Sequence, residues 1–385
     1  MRVVVAKRTS YRGEGLGNEL IPWAKGWIAS QALHARLVGP SWGLNRRRYW
    51  RNFRSSRLDF ILEDALLRAP LATFTEEDYL STGEVDFGTA LLRWVEKIDL
   101  VKERFFVVGV EGMWGGYGAI RNARWFLWER LLGSRDALDN MYRVLSRLDR
   151  SRLQVAVHIR SKGDGFSAPA QTKEQRGKFN LLVPGDWYLW VCRAVREAFG
   201  ERVQFWFFSD RPNPVFEEAV ERFNPSQIIC TGRTECSDLL LMAQADLRIC
   251  SVSSYSLAAA FLSDGPYVWY EPQLALSDGT YSLWGHEATQ QLESSSTARS
   301  RAFVRCLCAQ YGRSKNLPVS FLGAAMDIGD PLPDQLIELL EQRLREKETR
   351  TNLLEYGCLP RFVPPFEATR SECELWPPPV KRAAR

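Results

Sequence analysis

The chain has 385 residues, 45% hydrophobic and 25% charged, with 51 Lys and Arg against 46 Asp and Glu for a formal net charge of +5. That length exceeds what one core usually supports, so two domains are expected, and the composition is that of an ordinary globular protein. The mild basic excess suits a protein that handles phosphates and falls short of a nucleic-acid binder, and no run approaches the 18 apolar residues of a membrane span.

Residues 2–6 (Arg2-Val-Val-Val-Ala6) are too short an apolar run for a signal peptide and read as a first strand. Glycines 13, 15 and 17 follow, ahead of an amphipathic segment from Ile21 to Leu37. They suit a tight turn in which the backbone crowds something, and their spacing is not the Gly-x-Gly-x-x-Gly of a dinucleotide loop. The stretch 46–57 carries six Arg and three aromatics in twelve residues. It reads either as a solvated face or as a contact for an anionic membrane or a lipid-linked (undecaprenyl-diphosphate) glycan acceptor.

Residues 60–104 read as mainly helical, with Leu91–Val95 the clearest amphipathic piece, and Phe105–Val110 as a strand. The loop Glu111–Gly118, with four glycines, Trp114 and Tyr117, either lines an acceptor sugar site or is a structural glycine turn. A helical stretch from Ile120 to Leu148 closes the first half near Arg150. Beyond it, apolar runs starting at Leu153, Val203, Gln227, Leu247 and Tyr267 alternate with helical patterns at Trp187–Phe199, Pro214–Phe223, Asp238–Ala245 and Ser256–Leu262. That alternation predicts a parallel, doubly wound α/β sheet. Residues 288–301 read as a polar loop, Leu332–Thr349 as a charged helix, and the Pro-rich end as a poorly ordered tail. The eight cysteines contain no Cys-x-x-Cys pair and read as buried thiols, and three His residues give a zinc site little support.

Three strand ends carry chemistry. His158-Ile-Arg160-Ser-Lys162-Gly163-Asp164 ends a buried strand in cations and a glycine, a pattern suited to phosphate oxygens at the carboxyl edge of an α/β sheet. Phe207-Phe208-Ser209-Asp210 ends an aromatic strand in a small polar pair. Asp238-Leu-Leu-Leu-Met242 precedes a strand and the turn Ser251-Val-Ser253-Ser254-Tyr255-Ser256, where hydroxyls and a helix start favour an anion. Capping by Ser is the ordinary alternative. In this order the three pieces resemble the donor-binding motifs of the fucosyltransferase superfamily that includes α1,2-, α1,6- and protein O-fucosyltransferases. Gly15-Leu16-Gly17-Asn18-Glu19 looks like that family's N-terminal loop, with Glu where Gln is common. One departure is the extra residue that Ser161-Lys162 places between Arg160 and the Gly-Asp pair.

The resemblance implies a GT-B architecture, two Rossmann-like domains facing a cleft: residues 1–150 on the acceptor side, 151–330 binding the nucleotide sugar, and 331–385 a crossing helix and tail. It implies an inverting, metal-independent transfer of fucose from GDP-fucose to a glycan hydroxyl, with no further cofactor. Arg160 would stabilise the leaving diphosphate, helped by Lys162 and the Ser251, Ser253, Ser254 and Tyr255 turn. His158 would hold sugar or phosphate, and Gly15, Gly17, Asn18, Ser209, Asp210 and Asp238 would contact the donor. For Asp238 the N-cap role is slightly favoured over donor contact. Glu14, Asp164 and Glu174 are candidate bases, in that order. With no anchor of the Golgi type in the sequence, a cytoplasmic location is expected, peripheral to the inner membrane if 46–57 binds lipid. The alternatives are a glycosyltransferase for another nucleotide sugar and a non-catalytic nucleotide- or carbohydrate-binding protein. A nucleic-acid role has only 46–57 behind it.

Overall fold

The computed structural model describes residues 2–6, 15–42, 45–68, 72–84, 86–112, 116–145, 147–160, 182–211, 213–223, 229–230, 235–263, 265–273 and 323–355. Three consecutive valines make β1 (Arg2–Ala6) a strand buried on both faces, as a central parallel strand must be. It pairs in parallel with β2 (Arg36–Val38) and β4 (Phe106–Val110), and β3 (Ala72–Phe74) pairs with β4, giving the order β2-β1-β4-β3. The second sheet is built the same way from β5 (Leu153–His158), β6 (Val203–Phe208), β7 (Ile229–Cys230), β8 (Leu247–Ile249), β9 (Tyr267–Tyr270) and β10 (Gly323–Met326). Its order is β10-β9-β8-β5-β6-β7, parallel at every pairing. The molecule is therefore α/β with two parallel sheets.

The helices are α1 (Leu16–Ala32), α2 (Arg57–Arg68), α3 (Glu76–Thr82), α4 (Phe87–Lys97), α5 (Arg124–Leu132), α6 (Ala137–Leu145), α7 (Gly185–Phe199), α8 (Pro214–Phe223), α9 (Glu235–Gln244), α10 (Ser254–Phe261) and α11 (Asp334–Glu355), besides single turns. Several differ from the sequence reading. α1 starts five residues earlier, because Gly15 takes the extended conformation of an N-cap. It stops at Ala32, so Leu37, expected at the helix end, lies in β2. The helical stretch 120–148 is two helices, broken where Asp136 turns to a φ of 60°. β3 has only three residues, too few for a period to show.

One continuous core runs from the first sheet through α1, α5 and α6 to α9 and α10 of the second half. Two side chains stitch that junction. Trp128 Nε1 donates to Leu262 O at 2.7 Å and Arg124 Nη2 to Ser263 O at 2.7 Å, both carbonyls at the end of α10. A second core lies between the sheet of β5 and β6 and helices α7, α8 and α11. There Leu336, Leu340 and Leu344 of α11 are buried, Arg202 holds Glu341 at 2.8 Å and Lys347 holds Asp246 at 3.0 Å. Leu336, Leu340 and Leu344 of this helix thus pack on the second half. Cys192, Cys236 and Cys250 are buried free thiols, and burial pushes each thiol pKa upward. The loop 288–301 and the tail from 356 lie outside the described residues.

Candidate functional site

Each sheet reverses its build direction once. In the first, the chain leaves β1 toward β2 and returns on the other side through β3 to β4. In the second, it leaves β5 toward β6 and β7 and returns to β8 on the opposite side. Crevices in open α/β sheets form at the carboxyl ends of strands where this happens, here between β1 and β4 and between β5 and β8.

The β5/β8 crevice is lined by a histidine and three serines. His158, the last residue of β5, is buried, and its Nδ1 lies 2.6 Å from Ser256 Oγ and 2.8 Å from Ser251 Oγ. Ser251 Oγ is also 3.2 Å from Ser253 Oγ and 3.2 Å from Ser256 Oγ, while Ser253 caps α10 by accepting from Ser256 N at 3.2 Å. Capping and the cluster are therefore the same structure. Burial, reinforced by the Arg160 cation and opposed by Asp210, holds the imidazole pKa down to about 3. The neutral ring has one N–H donor and one bare acceptor nitrogen, and its Nδ1 faces the two serine hydroxyls.

Two residues on, the β5/β6 ladder continues through Ile159 N to Phe208 O at 2.9 Å, which sets Arg160 beside the end of β6. Arg160 Nη1 lies 3.5 Å from Asp210 Oδ2, both side chains being partly buried. A backbone hydrogen bond ties the buried Tyr188 hydroxyl of α7 to Arg160. Ser209 closes its own turn instead of facing outward, its hydroxyl donating to Arg211 O at 2.6 Å.

Across the junction, α1 and α10 meet at their amino-terminal ends. A Cβ on Gly17 would sit 2.5 Å from Ser254 C and O and 2.7 Å from Tyr255 N, all backbone atoms. What this glycine makes room for is the chain's own second half. Tyr117, following β4, donates to Gly17 O at 2.9 Å and reaches Ser254 O at 3.3 Å, so the two switch points touch. Gly15 has open space around its Cβ position. Asn18 is half-buried, its N–H bonded to Gly15 O at 3.0 Å. The buried Glu19 sits in the first turn of α1, where a carboxylate complements the helix dipole, and accepts from Asn45 Nδ2 at 3.0 Å.

Asp238 is not an N-cap, because α9 already begins at Glu235; it stands in the first turn, near enough to Tyr255 to help raise the tyrosine pKa. Tyr255 donates to Glu235 O at 2.6 Å, and the Glu235 carboxylate receives the Tyr49 hydroxyl and pairs with Arg47 at 3.5 Å. Part of 46–57 is thus built into the junction. Glu14, Lys162, Asp164 and Glu174 lie outside the described residues, as do residues 113–115 of the glycine-rich loop. Ser256 and Tyr188 complete the site without having been singled out as ligands, and Tyr117, read in a loop lining an acceptor sugar site or making a glycine turn, bonds the backbone of α1 and α10. For Ser256 a signal existed, since Ser at 251, 253 and 256 spans the turn into a helix. Among the described residues no group of three or more His, Cys, Asp or Glu could hold a metal ion.

Two predictions arise here. Gly17→Ala should cost about 1–3 kcal/mol, because the methyl group meets fixed backbone, whereas Gly15→Ala should be near neutral; urea unfolding of both variants checks this. The second concerns pH. His158 has a folded pKa below its unfolded value near 6.5, so its neutral form supports the fold above that pH and the support is lost as pH falls from about 6.5 toward 3. Between pH 7 and 5 the wild type should lose about 2 kcal/mol more than His158→Gln, and equal losses would place the imidazole in water.

Fold and site together define an α/β protein with parallel sheets and a polar, cation-bearing cradle at a strand switch point. No protein-family model matches the sequence, and no curated protein matches it. Among solved structures the chain is similar to POFUT1 in complex with GDP-fucose, with a TM-score of 0.40 and 13% identity over 69% of this chain and 95% of that one. It is similar also to NodZ α-1,6-fucosyltransferase soaked with GDP-fucose (TM-score 0.38, 15% identity, 68% of this chain and 92% of that one). The fucosyltransferase NodZ from Bradyrhizobium matches likewise (TM-score 0.38, 14% identity, 68% and 93%).

Proposed function

We propose that the chain is an inverting glycosyltransferase that moves fucose from GDP-fucose to an acceptor hydroxyl without a metal ion, using two Rossmann-like domains, 1–150 and 151–330, that face a cleft. One observation carries the reading. Residues from three motifs as much as 98 positions apart, His158 with Ser256 and Arg160 with Asp210, converge at the carboxyl end of β5.

The acceptor oxygen attacks the anomeric carbon from the face opposite the diphosphate. The bond from that carbon to the β-phosphate oxygen breaks, GDP departs with the electron pair, and the hydroxyl proton passes to a base. Glu14, Asp164 and Glu174 are the candidates for that base, in that order. Charge growing on the diphosphate needs donors already in position. Arg160, its guanidinium facing Asp210 and its backbone bonded to the Tyr188 hydroxyl, supplies the cation, with Lys162 as a second. With Nδ1 accepting from a serine hydroxyl, His158 would offer Nε2–H as a neutral donor, and the start of α10 adds the positive end of a helix dipole. Asp210 or Asp238 would accept from the guanine N1 and N2 donors.

The test is release of GDP from GDP-fucose in the presence of a chelator, with and without a cell-derived glycan mixture. Acceptor-stimulated release supports the reading. Release from a different nucleotide sugar and none from GDP-fucose would replace the donor and leave the cradle in place.

A further inference from the structure

The helix α2 is apolar on two sides, and the fold uses only one. Toward the first sheet it turns Leu66 and Leu67, which pack on a cluster of Val3, Val5, Val38 and Val107, and the buried Glu63, whose Oε2 accepts from Ser41 N at 2.8 Å. On the other side Leu58 is 76% exposed, Ile61 60% and Leu62 43%, with Ala65 exposed beside them. Positions 58, 61, 62 and 65 follow the helical period and form one stripe, too regular to be scattered surface residues.

The chain leading into this stripe is basic. Residues 46–68 hold seven Arg against three acidic residues. Arg46, Arg48, Arg51, Arg54 and Arg57 are exposed, and the Arg51 guanidinium lies 5.1 Å from the ring centre of Trp50, itself partly exposed. The acidic side chains are already engaged. Asp59 accepts from Ser56 N at 2.7 Å, Asp64 pairs with Arg68 at 2.9 Å, and Glu63 is buried. An apolar stripe next to a run of arginines and an aromatic is the pattern of a helix that lies in the interface of a charged bilayer.

We infer that the outward face of α2, with the arginines of 46–57, docks the protein on an anionic lipid surface. This goes beyond the transfer reaction and does not depend on it. Anionic headgroups around an apolar layer are the complement of an apolar stripe flanked by arginines.

The test is co-sedimentation of the full-length protein, without nucleotide, with vesicles of phosphatidylcholine alone and of phosphatidylcholine mixed equally with phosphatidylglycerol. Binding to the anionic vesicles should exceed binding to the neutral ones by about tenfold or more and weaken with added salt. Ile61→Asp, and separately Arg51→Ala with Arg54→Ala, should each lower it by about tenfold, while Tyr142→Asp, at an exposed site on α6, should leave it unchanged. All four positions are exposed, and unchanged thermal unfolding confirms that each variant folds. Equal binding to both vesicle types, or binding untouched by Ile61→Asp, would overturn the inference. So would a dimer in sedimentation velocity that Ile61→Asp dissolves, since a second copy would then cover the stripe.

Discussion

Arg160→Ala should lower the transfer rate by about 100-fold or more while leaving the protein folded, a loss on the scale of one transition-state charge donor. The side chain is only partly buried and sits at a strand end, so removing it opens no core cavity. It does remove the cation beside Asp210 and His158. The remaining carboxylate then acts on the imidazole alone, and the depression that Arg160 adds to the His158 pKa disappears. Arg160→Lys, which keeps the charge and loses the planar fork, should fall between wild type and Ala. Steady-state GDP release, with thermal unfolding alongside, measures both quantities. Near-full activity in Arg160→Ala would remove Arg160 from the chemistry.

The largest loss of stability should come from Arg248→Met. Arg248 is fully buried in β8, between Leu247 and Ile249. Its Nη1 donates to Ala245 O at 2.9 Å, just past the end of α9, and to Ser263 Oγ. Its Nη2 donates to Pro266 O at 2.8 Å and to Gly265 O. The guanidinium thus ties the end of α9 to the segment between α10 and β9, the two connections on either side of the serine turn. Methionine fills similar volume and takes the guanidinium donors from Ala245 O and Gly265 O, while Pro266 O keeps the backbone N–H of residue 248 at 3.1 Å, and a cost of about 3–5 kcal/mol is expected. Against a total stability on the order of 5–15 kcal/mol that is a large fraction, readable as a lower urea midpoint at unchanged slope. A shift worth less than about 1 kcal/mol would mean that water or repacking replaces the arginine.

The contrast between these two arginines shows what the sequence makes legible. Arg160 follows a mainly apolar run and stands three residues before Gly163, so strand, strand end and cation are all visible in one stretch. Arg248 looks like a stray charge in a strand, because nearly all its acceptors are backbone carbonyls, and a carbonyl leaves no mark on composition. β5, β6 and β9 are readable because strands buried on both faces are mainly apolar, and β8 is readable from Leu247 and Ile249 on either side of its arginine. β2 and β3 are not, since three residues at a sheet margin carry no period. α1 is displaced in the reading because the apolar residues of β2 follow it closely enough to extend its pattern. Gly17 shows a subtler limit. Its crowding is foreseeable from a glycine between a strand and a helix, but that the crowding atoms belong to Ser254 and Tyr255 depends on how α1 and α10 meet. Asp238 fails as a cap for a similar reason, since α9 already starts at Glu235.

The most direct test of the central claim, a metal-independent cradle for a guanosine diphosphate sugar, is thermal unfolding in a chelator with GDP, GDP-fucose, UDP and UDP-glucose in turn. At about 100 times its dissociation constant a ligand adds about 2.7 kcal/mol to the folded state. A rise in the unfolding temperature with GDP and GDP-fucose, absent with the uridine nucleotides and abolished by Arg160→Ala, is the predicted result. No response to either guanine nucleotide, or a response that Arg160→Ala leaves intact, would contradict the account.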